Sequence, residues 1–237
     1  RSKRDAKLNH LHEEDATNLV ITINDEIDSY RPVHLDPIKG GGLIIGESCH
    51  FLDLACWLID KKPIRIYATG STRLSHAIVL NFEDGSIATI HFSSCGTFDY
   101  PKERYELTNK GALFLNEFFV EVNVYGRGEK INKTYSLQND PLADEVPGEG
   151  FQNYLNKVNL VQNRFKETGN FTYLMPDKGH RNLLNEFVTS ILENKPSPVD
   201  AERGLRATYL SNKAIESIKT GLPVPICQED IDVYVDV

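Results

Sequence analysis

The sequence predicts an α+β domain, a large, open and mostly antiparallel β-sheet with helices packed on one face. Three observations predict it. Short β-branched segments joined by tight turns fill roughly residues 63–136, the final third has helical periodicity, and a glycine-rich loop leads into an amphipathic helix near residue 50. Strands in one run and helices in another segregate into a sheet and a helical layer instead of alternating βαβ units. At 237 residues the chain is long enough for a sizeable core, and a single domain spanning 1–237 is expected.

Residues 17–24 (TNLVITIN) read as the first strand, β-branched and bounded by polar residues. A loop follows with Pro32, Pro37 and the run Gly40, Gly41 and Gly42. Over 45–60, Phe51, Leu54, Ala55 and Leu58 keep the i, i+3, i+4, i+7 spacing of a helix. Strands are then expected at 63–72, 75–82 and 86–93, the last two joined by Asp84-Gly85, because glycine tolerates the positive φ of a tight hairpin. Further strands fit 103–109, 111–116, 119–125 and 129–136, turning at Lys110-Gly111 and Arg127-Gly128. Tight connections predict an antiparallel meander, since parallel pairs need long crossovers. Helices are expected at 151–165 and at 178–193, the second capped by Asp177. A last long helix starts at Asp200 and stops at Gly221, before Pro223.

The composition, 40% hydrophobic and 25% charged, is that of a globular domain. A net charge of -8 argues against a nucleic-acid binder, which normally shows a basic face. No stretch approaches the roughly twenty apolar residues of a membrane span, and Arg1 to Lys7 lead into no apolar run of a signal peptide. Without an initiator Met, the chain is expected to be a fragment of a longer protein. Cys49, Cys56, Cys95 and Cys227 form no CxxC pair or zinc-finger spacing, which fits a reducing cytoplasm. Sequons at Asn132 and Asn170 lack a secretory context. Neither GxGxxG nor GxxxxGK[ST] occurs, and Gly40–Gly42 follow a loop instead of a strand, so no nucleotide site is visible.

The stretch 34–54 carries the candidate chemistry. Glu47, His50 and Asp53 succeed one another at i, i+3, which on a regular helix puts each carboxylate about one turn from the imidazole. A carboxylate beside a histidine orients it and keeps it basic, and imidazole's ordinary pKa of about 6.5 suits proton exchange at neutral pH. The glycines before the helix let the backbone bend sharply and approach a ligand. By spacing alone, an amphipathic helix edge with two solvated acids is the favoured reading, because such triples arise often in amphipathic helices, and a metal site is disfavoured further with no second histidine nearby. His10 and His12, beside Glu13 and Glu14, read as polar surface. Trp57 reads as core, and Lys39 as a solvated loop residue.

Several stretches in order resemble the Gfo/Idh/MocA oxidoreductases. Gly40 to Asp53 is similar to that family's glycine run and histidine-bearing helix. His34-Leu35-Asp36-Pro37 resembles its lead-in, and Lys102 to Leu107 with Gly111 its sheet strands. Asp177-Lys178-Gly179-His180 through Pro196-Ser197-Pro198-Val199 resembles its late helix and connection, and Thr220-Gly221-Leu222-Pro223-Val224 its closing turn.

The resemblance implies the C-terminal, substrate-binding domain of a two-domain enzyme whose N-terminal Rossmann half is missing here. It implies hydride transfer between NAD or NADP, bound mainly by that missing domain, and a small sugar, cyclitol or related carbonyl compound. His50 falls on the family's general acid/base, with Glu47 and Asp53 orienting it or touching substrate hydroxyls. By position, His34 at the entry to the glycine loop and His180 in the first turn of a helix are further candidates for the substrate side. A capping or surface role is equally open for His34, and a structural role is favoured for His180. A homo-oligomer through the open face of the sheet is expected, in the cytoplasm, with neither nucleic acid nor membrane as a partner. Many members carry Asp where this chain has Gly46, so a non-catalytic sugar-binding or oligomerisation module is the alternative. The stretch 137–175 reads as an insertion without an assigned role.

Overall fold

Residues 15–126 and 128–232 are described by the computed structural model. The His10/His12 pair and Arg127 lie outside the described residues.

Eleven strands follow in chain order. They are β1 (Thr17–Asn24), β2 (Pro63–Gly70), β3 (His76–Phe82), β4 (Ile87–Ser93), β5 (Glu103–Asn109), β6 (Ala112–Glu117), β7 (Glu121–Gly126), β8 (Glu129–Thr134), β9 (Leu137–Gln138), β10 (Met175–Pro176) and β11 (Val224–Pro225). Nine of them form one sheet in the order β11-β2-β3-β4-β1-β5-β6-β7-β8, while β9 and β10 pair with each other. The hairpins form where glycine permits. Gly85 turns at φ 86°, and Lys110 (φ 36°) with Gly111 (φ 79°) makes a two-residue turn of the twisted kind that matches strand twist.

One strand corrects the expected meander. β1 lies between β4 and β5, antiparallel to β5 but parallel to β4, with Ile21 opposite both Ile90 and Tyr105. The tight turns governed only the two runs β2–β4 and β5–β8. The first strand reaches its place through the long helical excursion that precedes β2, the length of connection a parallel pair needs.

The helices are α1 (Pro32–Leu35), α2 (Cys49–Ile59), α3 (Phe151–Thr168), α4 (His180–Leu192), α5 (Ala201–Thr220) and α6 (Glu229–Asp232). Strand alternation decides where the core sits. Leu19, Ile21 and Ile23 of β1 point inward with Ile78, Leu80, Ile90 and Phe92, while the residues between them face out. Against that face pack Leu52 and Ala55 of α2 and Leu210 and Ala214 of α5. Burying one such leucine is worth about 2 kcal/mol, so this layer anchors α2, and with it the site. Asp200 caps α5 by accepting the Arg203 N–H at 2.9 Å, and Gly221 ends it at φ 70°.

The 137–175 stretch is a built unit. β9 leads through turns into α3, and β10 returns to pair with β9. Its small core joins Tyr154 and Val158 of α3 to Phe118 and Val120 of the β6–β7 turn. Buried Lys157 fastens the turns to the helix through Asp140 at 2.5 Å.

Two further expectations change in detail. The residue capping α4 is Gly179, whose N–H donates to Asp177 Oδ1 at 2.9 Å, so Asp177 braces the turn before the helix. The apolar stripe of α4 is uncovered among the described residues, with Leu184 64% and Leu192 80% exposed. Amphipathic spacing fixes which side of a helix is apolar, not what lies against it.

Candidate functional site

The loop before α2 is packed by protein against protein. A side chain at Gly40 would meet the Val33 carbonyl at 2.1 Å, and one at Gly42 would meet the Thr72 carbonyl at 2.5 Å. The missing side chains at Gly40 and Gly42 therefore admit neighbouring backbone. The chain then makes a wide π-type turn, Ile44–Ser48, before α2 begins. Buried His76 on β3 fastens that turn. Its Nδ1–H donates to the Leu74 carbonyl and its Nε2 accepts from the Ser48 hydroxyl, both at 2.7 Å, and its ring stacks on Phe92. Burial holds its pKa below the ordinary histidine value despite the Leu74 bond, which favours this neutral tautomer.

The wide turn carries Glu47 towards Lys102, just before β5. Lys102 Nζ lies 3.2 Å from Glu47 Oε2 and 2.7 Å from Asp25 Oδ2. Asp25, buried just after β1, also accepts the Glu26 N–H at 2.9 Å and the Tyr30 hydroxyl. Burial works against the ammonium of Lys102, but the bonds and charges of Asp25 and Glu47 prevail and raise its pKa. Burial, then the bond to Asp25, raises the Tyr30 pKa well above that of a free phenol. The cluster thus gathers the acids Asp25 and Glu47 around the amine of Lys102, with the Tyr30 phenol donating into it.

The sequence-predicted residues distribute unequally. His50 is exposed at the start of α2, and among the described residues no protein group holds its imidazole. Glu47 and Asp53 are not bonded to it. Glu47 goes to Lys102, and Asp53 turns to α5, where Arg206 Nη2 lies 3.5 Å away. The i, i+3 rule assumes a regular helix, and the π-type turn ending at Ser48 breaks that geometry for Glu47. Asp53 Oδ1 and Arg206 Nε are buried without hydrogen-bond partners. Exposed His34 on α1 stands edge-on to the Tyr30 ring, 6.4 Å between centroids, and so borders the cluster. His180 does not join it. It lines a recess with Gln138, Asn139 and Leu184. Trp57 packs partly buried against the core, and Lys39 is exposed.

Sequence reasoning missed Asp25, Tyr30, Lys102, Ser48 and His76 as members of the site. Lys102 stood inside a quoted stretch, but only as part of a strand. Its partners lie 55 and 77 positions away, beyond any local pattern. Among the described residues no group of three or more His, Cys, Asp or Glu could hold a metal, and no helix is long and apolar enough to cross a membrane.

Residues 19–226 match a family described as an oxidoreductase family, C-terminal alpha/beta domain. Among solved structures, an oxidoreductase domain protein from Kribbella flavida superposes with a TM-score of 0.67 at 14% identity, covering 95% of this chain and 63% of that one. A UDP-N-acetylglucosamine 3-dehydrogenase from Acidithiobacillus ferrooxidans gives 0.57 at 14% identity, with 86% and 54% covered. An oxidoreductase from Agrobacterium radiobacter, in complex with NAD+, L-tartaric acid and magnesium, gives 0.63 at 14% identity, with 94% and 60% covered. At such identities the likeness is one of fold. The chain spans 59%, 60% and 63% of the length of three such structures. No curated protein matches it in sequence.

Proposed function

Since this chain belongs to the Gfo/Idh/MocA oxidoreductase family through its C-terminal alpha/beta domain, we propose that it is the substrate side of an enzyme that oxidises a sugar or cyclitol hydroxyl, or reduces the matching ketone. The observation that carries this reading is His50, exposed and unpartnered at the head of α2, beside a turn whose Glu47 is fixed by Lys102. A free imidazole nitrogen can take the proton of a substrate hydroxyl as it is oxidised, and return it in reduction. Glu47 and Lys102 offer an acceptor and a donor to neighbouring hydroxyls, and Asp25 keeps Lys102 in place. Asp53, tied to Arg206, positions α2 against α5 and does not act on His50. His34 is placed to border the polyol, and His180 is left without a part in the reaction.

Redox chemistry of this kind needs a hydride carrier. NAD or NADP would supply it, but the sequence holds neither GxGxxG nor GxxxxGK[ST] to cradle its phosphates. The dinucleotide is therefore assigned to another part of a longer protein, outside 19–226. The free thiols of Cys49, Cys56, Cys95 and Cys227 support a reducing cytoplasmic setting. The outer face of the sheet, with Val20 and Tyr67 exposed, supports self-association.

The test is NAD(P)H titration of this chain and of the full-length gene product side by side, followed by turnover of sugars and cyclitols. Binding by the full-length protein alone, with turnover lost in His50→Ala, is the expected result. Normal turnover in His50→Ala ends the acid/base assignment, and nucleotide binding by neither protein ends the oxidoreductase reading. One observation favours a second reading, a sugar-binding or oligomerisation module without catalysis. Gly46 has open space around it, so nothing in the fold requires a missing side chain at this position. Sugar binding without turnover by the full-length product would select that reading.

A further inference from the structure

Between the loop that follows β4 and the segment that follows α3 runs a groove of about 250 Å³. Its surface is overwhelmingly apolar. Its aromatic lining combines exposed Phe98, Tyr100, Phe171 and Tyr173 with buried Phe118 and Tyr154. Ring contacts set its walls. Phe171 meets Tyr173 edge-on at 4.9 Å and Phe165 at 5.8 Å, while Tyr100 leans edge-on against Phe151 at 6.1 Å. Walls already held in place lose little freedom when a ligand enters.

Two features say what the groove would take. Its two cations are already neutralised, Lys102 by Asp25 and Glu47 and Lys178 by Glu103, so it offers an anion no free charge. Exposed aromatic faces and edges with compensated charge suit a neutral ring that stacks. Lys102 is shared, lining the groove while binding Glu47 of the candidate site, so the groove opens onto the place proposed for the reacting polyol. Its volume lies below the roughly 300–1,000 Å³ of whole ligand sites, the size of one substituent.

We propose that this groove is the subsite for a neutral aromatic aglycone, making the substrate a glycoside or aryl-substituted polyol instead of a free sugar. The polyol sits at Lys102 and Glu47, and the ring lies between Tyr100 and Tyr173. This rests on the function proposed above for the polyol end, but the groove can be tested without turnover.

The probes are 4-methylumbelliferyl β-D-glucoside, methyl β-D-glucoside and 4-methylumbelliferyl phosphate, titrated calorimetrically into this chain. The umbelliferyl glucoside is expected to bind at least tenfold more tightly than the methyl glucoside, and no more weakly than the phosphate. Tyr173→Ala and Phe171→Ala, both at exposed positions, should each lower that affinity about tenfold, or about 1.4 kcal/mol. Leu184→Ala, exposed on α4 and away from the groove lining, should leave it unchanged. Equal affinity for the two glucosides, a tenfold preference for the phosphate, or indifference to Tyr173→Ala overturns the proposal. The two readings fail separately. An aryl preference that survives in an enzyme indifferent to His50→Ala removes only the acid/base assignment, and His50-dependent turnover without aryl preference removes only the subsite.

Discussion

Replacing Asp25 by asparagine should destabilise the protein by an amount the cluster lets one work out. Asp25 is 1% exposed and receives Lys102 Nζ at 2.7 Å, the Glu26 N–H at 2.9 Å and the Tyr30 hydroxyl. Asparagine keeps the shape and one acceptor oxygen but removes the charge. Breaking a fully buried ion pair costs about 3–5 kcal/mol, because the surviving partner stays desolvated. Here Lys102 is 24% exposed and retains Glu47 at 3.2 Å. Half the buried-pair value, about 2 kcal/mol, is therefore expected. For a chain of this length that lowers Tm by about 4–8 °C. Urea unfolding followed by circular dichroism would show a lower midpoint with an unchanged slope. The double variant Asp25→Asn/Lys102→Met should lose less than the sum of the two singles, because each leaves the other partner stranded. An Asp25→Asn protein within about 0.5 kcal/mol of the parent, the range of an ordinary surface change, would refute the reasoning.

Other predictions follow from burial. The folded state holds the His76 pKa below its ordinary 6.5, so the unfolded chain takes the proton first as pH falls. The stability this contributes is complete above about pH 6.5 and is lost as pH falls from there through the folded-state value. Urea midpoints measured from pH 7.5 to 5 should decline, and His76→Gln should flatten the decline. An identical slope in the variant would deny His76 that role. Leu210, fully buried on α5, should cost about 2–5 kcal/mol when changed to alanine. Leu184→Ala, 64% exposed on α4, should stay within about 0.5 kcal/mol of the parent in the same unfolding assay. A large loss at Leu184 would mean that α4 is covered in solution.

Local signals in the sequence were enough for most of the fold. β1 is found at Thr17–Asn24 as read, and the eight strands from β1 to β8 lie within two residues of the expected bounds at every end, because turn chemistry at Asp84-Gly85 and Lys110-Gly111 is a nearest-neighbour effect. The placement of β1 was illegible for the opposite reason, since Ile21 meets Ile90 and Tyr105 across the chain and no periodicity encodes that choice. The site divides in the same way. His50 is a candidate only through the resemblance of its motif, since spacing alone favours a solvated helix edge. Its expected neighbours could not be placed, because a π-type turn swings Glu47 to Lys102, and Arg206 on a distant helix draws Asp53 away. The apolar faces of α2 and α4 look alike in sequence, yet one is buried against the sheet and the other is exposed.

The position of β1 also orders the making of the molecule. β2–β4 and β5–β8 are local hairpin runs that can each zip from their own turns on the microsecond scale. β1 can do nothing of the kind, because its parallel partner β4 has not yet been synthesised when β1 leaves the ribosome, and β5 comes later still. Pairings of such long sequence separation bear the largest loop-closure entropy and form late. This strand thus waits as an unpaired β-branched segment until it becomes the seam joining two preformed half-sheets. In pulse-labelled hydrogen exchange, the amides of 18–24 should gain protection after those of 76–93, and earlier protection there would reverse this order. Asp25 directly follows the seam, so the cluster around Lys102 is completed only when the halves meet.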